Sequence, residues 1–162
     1  MLNNAPKPMS FEHPEIENKS ESQNIFVFSK EININEKAFK IIISKNSQKL
    51  LIKSIPLNTL IPIQYEKEFT KNDLNKISKF FKMFDDIDDL IPEIISRLEK
   101  NKFKIIVNEN IFQIDFCLDI KNINDFSFFL QKKKNTITVE YLYDLINSVL
   151  HEINEQKSII NN

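Results

Sequence analysis

The chain has no glycine among its 162 residues, and this absence limits it more than any residue it contains. Glycine lets a backbone approach a phosphate closely or turn through positive φ without a Cβ in the way. Without it, the usual phosphate cradles of nucleotide enzymes cannot be built. A calcium loop of the EF-hand type loses its mid-loop residue as well. Turns fall to other residues, and in Lys45-Asn46-Ser47-Gln48 the asparagine tolerates left-handed backbone where a hairpin is expected.

The length suits one ordinary core, so a single domain with an appendage is expected. Hydrophobic residues at 41% and charged residues at 28% fall within the soluble globular range and exclude a wholly disordered or fibrous chain. A net charge of -1 provides no broad field for nucleic acid or anionic membrane. Arg97 is the sole arginine, and arginine forks dominate phosphate and guanine recognition, so a nucleic-acid partner is not expected. Cys117 stands alone, which rules out an intrachain disulfide or a cysteine-rich metal site and points to a reducing compartment. Between Phe116 and Leu118 it reads as a buried structural thiol. Apolar runs such as Ile41 to Ile43 and Phe128 to Leu130 are too short to span a membrane, and Met1 to Ser10 lacks a secretory apolar stretch. The expected location is cytoplasmic, cytosolic or cytoskeletal, with no membrane partner.

The pattern along the chain predicts an α+β fold: a small antiparallel β-sandwich or sheet, an inserted helical pair and a C-terminal amphipathic helix. Residues 1–36 read as a mostly disordered tail, polar and holding Pro6, Pro8 and Pro14, with a short apolar segment at 25–28. A β-rich domain is expected over 37–134. Phe39 to Ser44 and Lys49 to Ile55 form a hairpin. Ile61 to Phe69 alternates as a strand, with Ile61, Ile63, Tyr65, Lys67 and Phe69 on one side. The period then lengthens to helical, and the insert occupies 70–100. Thr70 and Asp73 have the spacing of a capping box. A break is expected near Met83 to Asp89, and Pro92 must sit in the first turn of the second helix or bend it. Strands return at Phe103 to Val107, Ile111 to Ile120 and Phe126 to Gln131. Residues 135–158 form the last helix, whose stripe is Leu142, Leu145, Ile146, Val149 and Ile153. With fewer than three clean heptads it reads as short for a coiled coil.

Enzyme signatures are missing. His13 lies in the tail and His151 on the last helix, so neither stands at nucleophile spacing from Cys117 or a serine. Asp85, Asp86, Asp88 and Asp89 suit the positive end of a helix better than a metal or an acid/base pair. The 14 phenylalanines are spaced as core rather than as base-stacking platforms. No catalytic residue, cofactor or metal is expected. The candidate partner-binding residues are Ile25, Phe26, Val27 and Phe28, as an edge strand or a segment adding to a partner's sheet; the basic run Lys132, Lys133 and Lys134, as a solvated strand end or a contact for phosphate or an acidic protein surface such as a microtubule; and Leu142, Ile146, Val149 and Ile153 on the last helix.

Strands, a helical pair at Thr70 to Lys100, further strands and a terminal helix from Thr138 make an order that resembles the head domains shared by the centriolar cartwheel protein, a ciliary basal-body coiled-coil protein and the DNA end-joining scaffold. The resemblance is one of topology over Ala38 to Asn154. It implies a structural, non-catalytic role, with a dimerising helix after the head. Here the terminal helix is shorter than the stalks of that superfamily, and the tail has no counterpart. Tyr65-Glu66-Lys67-Glu68-Phe69-Thr70 with Phe80-Phe81-Lys82-Met83-Phe84-Asp85 also looks like a module recurring in ciliate proteins, in keeping with AT-rich coding. The expected function is that of a structural or adaptor subunit of a large cytoskeletal assembly, a ciliary axoneme or basal body, with protein partners held by the tail and last helix. A homodimer through that helix is one form this could take. The alternatives are a nucleic-acid-associated repair or replication scaffold and an accessory subunit of a mitochondrial complex.

Overall fold

The computed structural model describes residues 23–60, 62–134 and 139–160. The fold is α+β. Seven antiparallel strands form one curled sheet in the order β1-β2-β3-β4-β7-β6-β5: β1 Ile25–Ile34, β2 Lys37–Lys45, β3 Lys49–Pro56, β4 Ile63–Thr70, β5 Phe103–Val107, β6 Ile111–Phe116 and β7 Phe126–Lys134. Between β4 and β5 lie α1 (Lys71–Ile77), a 3-10 helix (Lys79–Met83) and α2 (Ile87–Glu99), and α3 (Val139–Ile160) ends the described chain.

The folded part begins earlier than the tail boundary at residue 36 expected from sequence. Residues 25–34 form β1, which pairs along its whole length with β2, from Ile25 opposite Lys45 to Ile34 opposite Lys37. The segment 1–22 lies outside the described residues. Pattern reading stopped β1 at Phe28 because the inward-leaning series Phe28, Lys30, Ile32, Ile34 contains a lysine. Lys30 is half-buried, and its ammonium donates to the Leu98 carbonyl and to Asn101 Oδ1, both at 2.7 Å. The stem thus covers apolar surface while the charge finds oxygen.

Turns solve the missing-glycine problem with other residues. Six described residues have positive φ: Asn35, Glu36, Asn58, Asn101, Asp119 and Asn122. All but Glu36 are Asn or Asp, the types that bear left-handed backbone best. Asn35 and Glu36, with φ of 48° and 65°, make the two-residue turn between β1 and β2, where both central residues need positive φ if the turn is to follow the strand twist. Asn101 takes glycine's usual place after α2. Lys102 N–H donates to the Arg97 carbonyl at 2.9 Å and Asn101 N–H to the Leu98 carbonyl at 3.2 Å, the paired bonds of a Schellman ending.

The helical insert follows its sequence signals. Thr70 caps α1, its hydroxyl oxygen accepting from Asp73 N–H while the Asp73 carboxylate accepts from Thr70 N–H at 3.0 Å. The Thr70 hydroxyl also donates to that carboxylate at 2.7 Å, and this bond, followed by the one from Thr70 N–H, holds the Asp73 carboxyl below the ordinary carboxylate range. The break falls between the 3-10 helix and α2, whose N-cap Asp86 accepts from Asp89 N–H at 2.9 Å. Pro92 sits in the second turn of α2 rather than the first, leaving the Asp88 carbonyl without its helical donor. Asp88 itself reaches Lys45 of β2 at 2.5 Å.

A single core joins sheet and insert. Ile87, Leu90, Ile91, Ile94 and Leu98 of α2 and Phe80 and Phe81 of the 3-10 helix are buried against Ile41, Ile43, Leu50, Ile52, Phe69, Phe112, Ile114, Phe116 and Phe128 from the strands. Phenylalanine rings stack at its centre, Phe116 on Phe126 at 5.0 Å and Phe80 on Phe126 at 5.6 Å. Arg97 seals one end of this core. Its guanidinium lies 5.3 Å from the Phe80 ring, donates to the Cys117 and Leu118 carbonyls at 2.8 and 3.3 Å, and pairs with Glu93 at 2.8 Å. Cys117 is half-buried rather than buried. The alternation that turns Phe116 and Leu118 inward turns the thiol between them outward.

Candidate interaction surface

The four residues of the apolar N-terminal candidate segment all lie in β1. Ile25 and Phe26 stand opposite Lys45 and Ser44 yet remain 60% and 62% exposed, Val27 sits at an irregularity in the ladder, and Phe28 faces Ile43 and packs on the core. The basic run belongs to β7, with Lys132, Lys133 and Lys134 opposite Tyr65, Gln64 and Ile63 of β4. Lys133 is paired with Glu66, which raises the lysine's pKa above its ordinary value; Glu66 also lies 3.6 Å from Lys53.

A concavity of about 840 Å³ opens where the β1–β2 turn, the β3–β4 connection and the β5–β6 turn meet. Phe39, Ile63 and Val107 supply its apolar wall, and Glu36, Lys37, Glu109 and Lys132 give it mixed charge. Tyr65 reaches it from β4, its hydroxyl 3.5 Å from the Asn108 carbonyl, and burial pushes the phenol's pKa up. Its described lining holds no histidine, cysteine or serine. Among the described residues no three His, Cys, Asp or Glu side chains are grouped to hold a metal, and no helix is long and apolar enough to cross a membrane.

Helix α3 is the surface that stands apart. Its 22 residues extend roughly 33 Å at 1.5 Å per residue. It meets the body at its first turn, where the Tyr141 hydroxyl donates to the Leu60 carbonyl at 2.9 Å. From Leu142 to Ile160 every residue except Leu145 is exposed. The candidates Leu142, Ile146, Val149 and Ile153 are 41% to 56% exposed, and Val139 and Ile160 at the two ends more so.

With its bounds fixed, α3 also reads differently from the count of fewer than three heptads. Val139, Ile146, Ile153 and Ile160 recur every seventh residue, and Leu142, Val149 and Gln156 fall between them at the complementary spacing. These are the a and d positions of a heptad seam, with one polar residue, Gln156. The signal was present in the sequence at Val139 and Ile160. It was missed because the helix ends were uncertain and Leu145, one position off the seam, widened the stripe. No family model matches the chain, and no curated protein is detectably similar to it.

Proposed function

We propose that this chain is a non-catalytic subunit of a larger protein assembly and that it pairs with a second copy of itself through α3 as a parallel two-stranded coiled coil. The observation that carries the reading is the seam of Val139, Leu142, Ile146, Val149, Ile153 and Ile160, apolar, in heptad register and exposed where it can be described. An apolar stripe of that length demands cover, and β-branched residues at all four a positions favour two parallel strands. Charge agrees on the direction. In a parallel pair each g residue faces the e residue five positions on in the partner, which sets Glu152 against Lys157. In an antiparallel pair g faces g and e faces e. Positions 145, 152 and 159 include no base, and 143, 150 and 157 no acid, so no ion pair could form.

The assembly we infer is cytoskeletal, of the axonemal or basal-body kind. Its support is the element order, four strands, a helical insert, three strands and a terminal helix, which resembles the head-domain superfamily named above. The non-catalytic part rests on the same resemblance, whose members are structural. The test is molar mass in solution. The intact chain sediments as a dimer that dissociates on dilution, and Ile146→Asp with Ile153→Asp yields a monomer whose β-sheet circular dichroism is unchanged. A wild-type chain that stays monomeric at high concentration overturns the pairing. For the setting, the chain should remain with axonemes after salt washing in stoichiometric amount; a wholly soluble pool removes that assignment.

A further inference from the structure

Several lysines of the body are engaged. Lys45, Lys49, Lys53, Lys102 and Lys133 each pair with a carboxylate, and Lys30 and Lys71 donate to backbone carbonyls. Three lysines of the insert have no such partner. Lys76 lies in the last turn of α1, and Lys79 and Lys82 lie on the 3-10 helix that follows. All three are exposed, and among the described residues none has a carboxylate within ion-pair distance. The Asp73 carboxyl feels Lys76 but is taken up by the Thr70 cap.

The local fold forces these charges together. Residues three apart on a 3-10 helix eclipse one another, so burying Phe80 and Phe81 on one side leaves Lys79 and Lys82 stacked on the other. Like charges at that spacing repel. The lysines line one cleft of about 450 Å³, whose far wall is the β6–β7 connection with Asn122, Asn124 and Asp125. Asp125 is its one acid, and an oxygen of that carboxylate already accepts from Leu118 N–H at 2.8 Å. What remains is a concave set of ammonium and amide donors, of a size that suits a small ligand.

We propose that this cleft binds an anion bearing two or more adjacent phosphate groups, with Lys76, Lys79 and Lys82 as its charge partners and Asn122 and Asn124 as neutral donors. One phosphate group, with a charge of about −1.5 to −2, leaves three ammonium groups only partly neutralised, and an adjacent second or third supplies the rest. Two sources share this chemistry, a soluble oligophosphate and the headgroup of a multiply phosphorylated lipid. The proposal is independent of α3, and its failure would leave the pairing test untouched.

The probe is inorganic tripolyphosphate titrated into the full chain by amide NMR at low ionic strength. Saturable one-to-one binding is expected, with the shifted amides confined to residues 76–82 and 122–125. Replacing all three lysines (K76Q, K79Q, K82Q) should weaken binding about tenfold or more, as three exposed charge pairs would. The same triple variant should melt no lower than wild type, since repulsion has been removed. A control of equal charge loss elsewhere (K40Q, K100Q, K104Q) should weaken binding far less, because none of these lysines lines the cleft and coulombic attraction falls with distance. Non-saturating binding, shifts scattered over every lysine, or equal weakening in the control triple overturns the site. Co-sedimentation with phosphatidylcholine vesicles carrying phosphatidylinositol bisphosphate assigns the site to a lipid headgroup. Tripolyphosphate binding without such sedimentation assigns it to a soluble anion. Equal sedimentation with phosphatidylserine vesicles of matched charge overturns phosphate recognition.

Discussion

Helices α2 and α3 carry the same kind of pattern and meet opposite fates. In α2 the stripe Ile87, Leu90, Ile91, Ile94 and Leu98 is buried under the curled sheet, whereas in α3 the stripe Leu142, Ile146, Val149 and Ile153 is left in the open. Amphipathic spacing states that a face must be covered and does not say by what. The difference lies in what surrounds each helix. A phenylalanine-rich sheet is folded back over α2, while α3 leaves the body after its first turn.

Breaking that contrast starts with the core. Ile94→Ala should cost about 2 to 5 kcal/mol, read by urea unfolding, while Ile146→Ala in dilute solution should change body stability by less than about 0.5 kcal/mol and act instead on association. Comparable losses would mean that α3 packs on its own body. Next comes Arg97, which ties α2 to the β6–β7 connection through two carbonyls and pairs with Glu93 on its own helix. Arg97→Lys keeps the charge but cannot make this fork, and should lower stability by about 2 kcal/mol; no loss would show that the charge alone matters.

Thr70→Ala removes the α1 cap and should cost about 1 kcal/mol. The same change should return the Asp73 carboxyl toward its ordinary value, since Thr70 is the main cause of its lowering. A lowered folded pKa means a contribution present above the ordinary carboxylate range and lost as pH falls through the lowered value. NMR titration of the Asp73 carboxyl checks the sign, and a midpoint unmoved by Thr70→Ala would reject the cause. The smallest effect belongs to Ser54, buried in β3 with a hydroxyl oxygen that has no partner. Ser54→Ala should be neutral or stabilise by up to about 1 kcal/mol, because it removes a polar group that burial already penalises. A clear loss by urea unfolding would reveal a hidden hydrogen bond.

What was legible in the sequence were the features written locally. Thr70 and Asp73 announced a helix start, the aspartates at 85 to 89 a second one, and β-branched runs the central strands. What escaped depended on remote atoms. Lys30 broke the alternation of β1 because its charge is satisfied by the end of α2, which no local window contains. Lys132 to Lys134 read as a solvated strand end and do close β7, but no local window shows that Lys133 finds Glu66 on the neighbouring strand. For the interaction surface, the stripe on α3 was visible, but its heptad register needed the helix ends.

Lys30 has one more consequence. Strand order leaves two unpaired rims, those of β1 and β5, and such rims are templates on which other chains can add strands and aggregate. Here the ammonium of Lys30 crosses from the first rim to Leu98, Asn101 and the ring of Phe103 beside the second, so a charge stands between the two rims at that point. An inward lysine that spoils the pattern of a strand thereby serves as a guard against fibril-like growth.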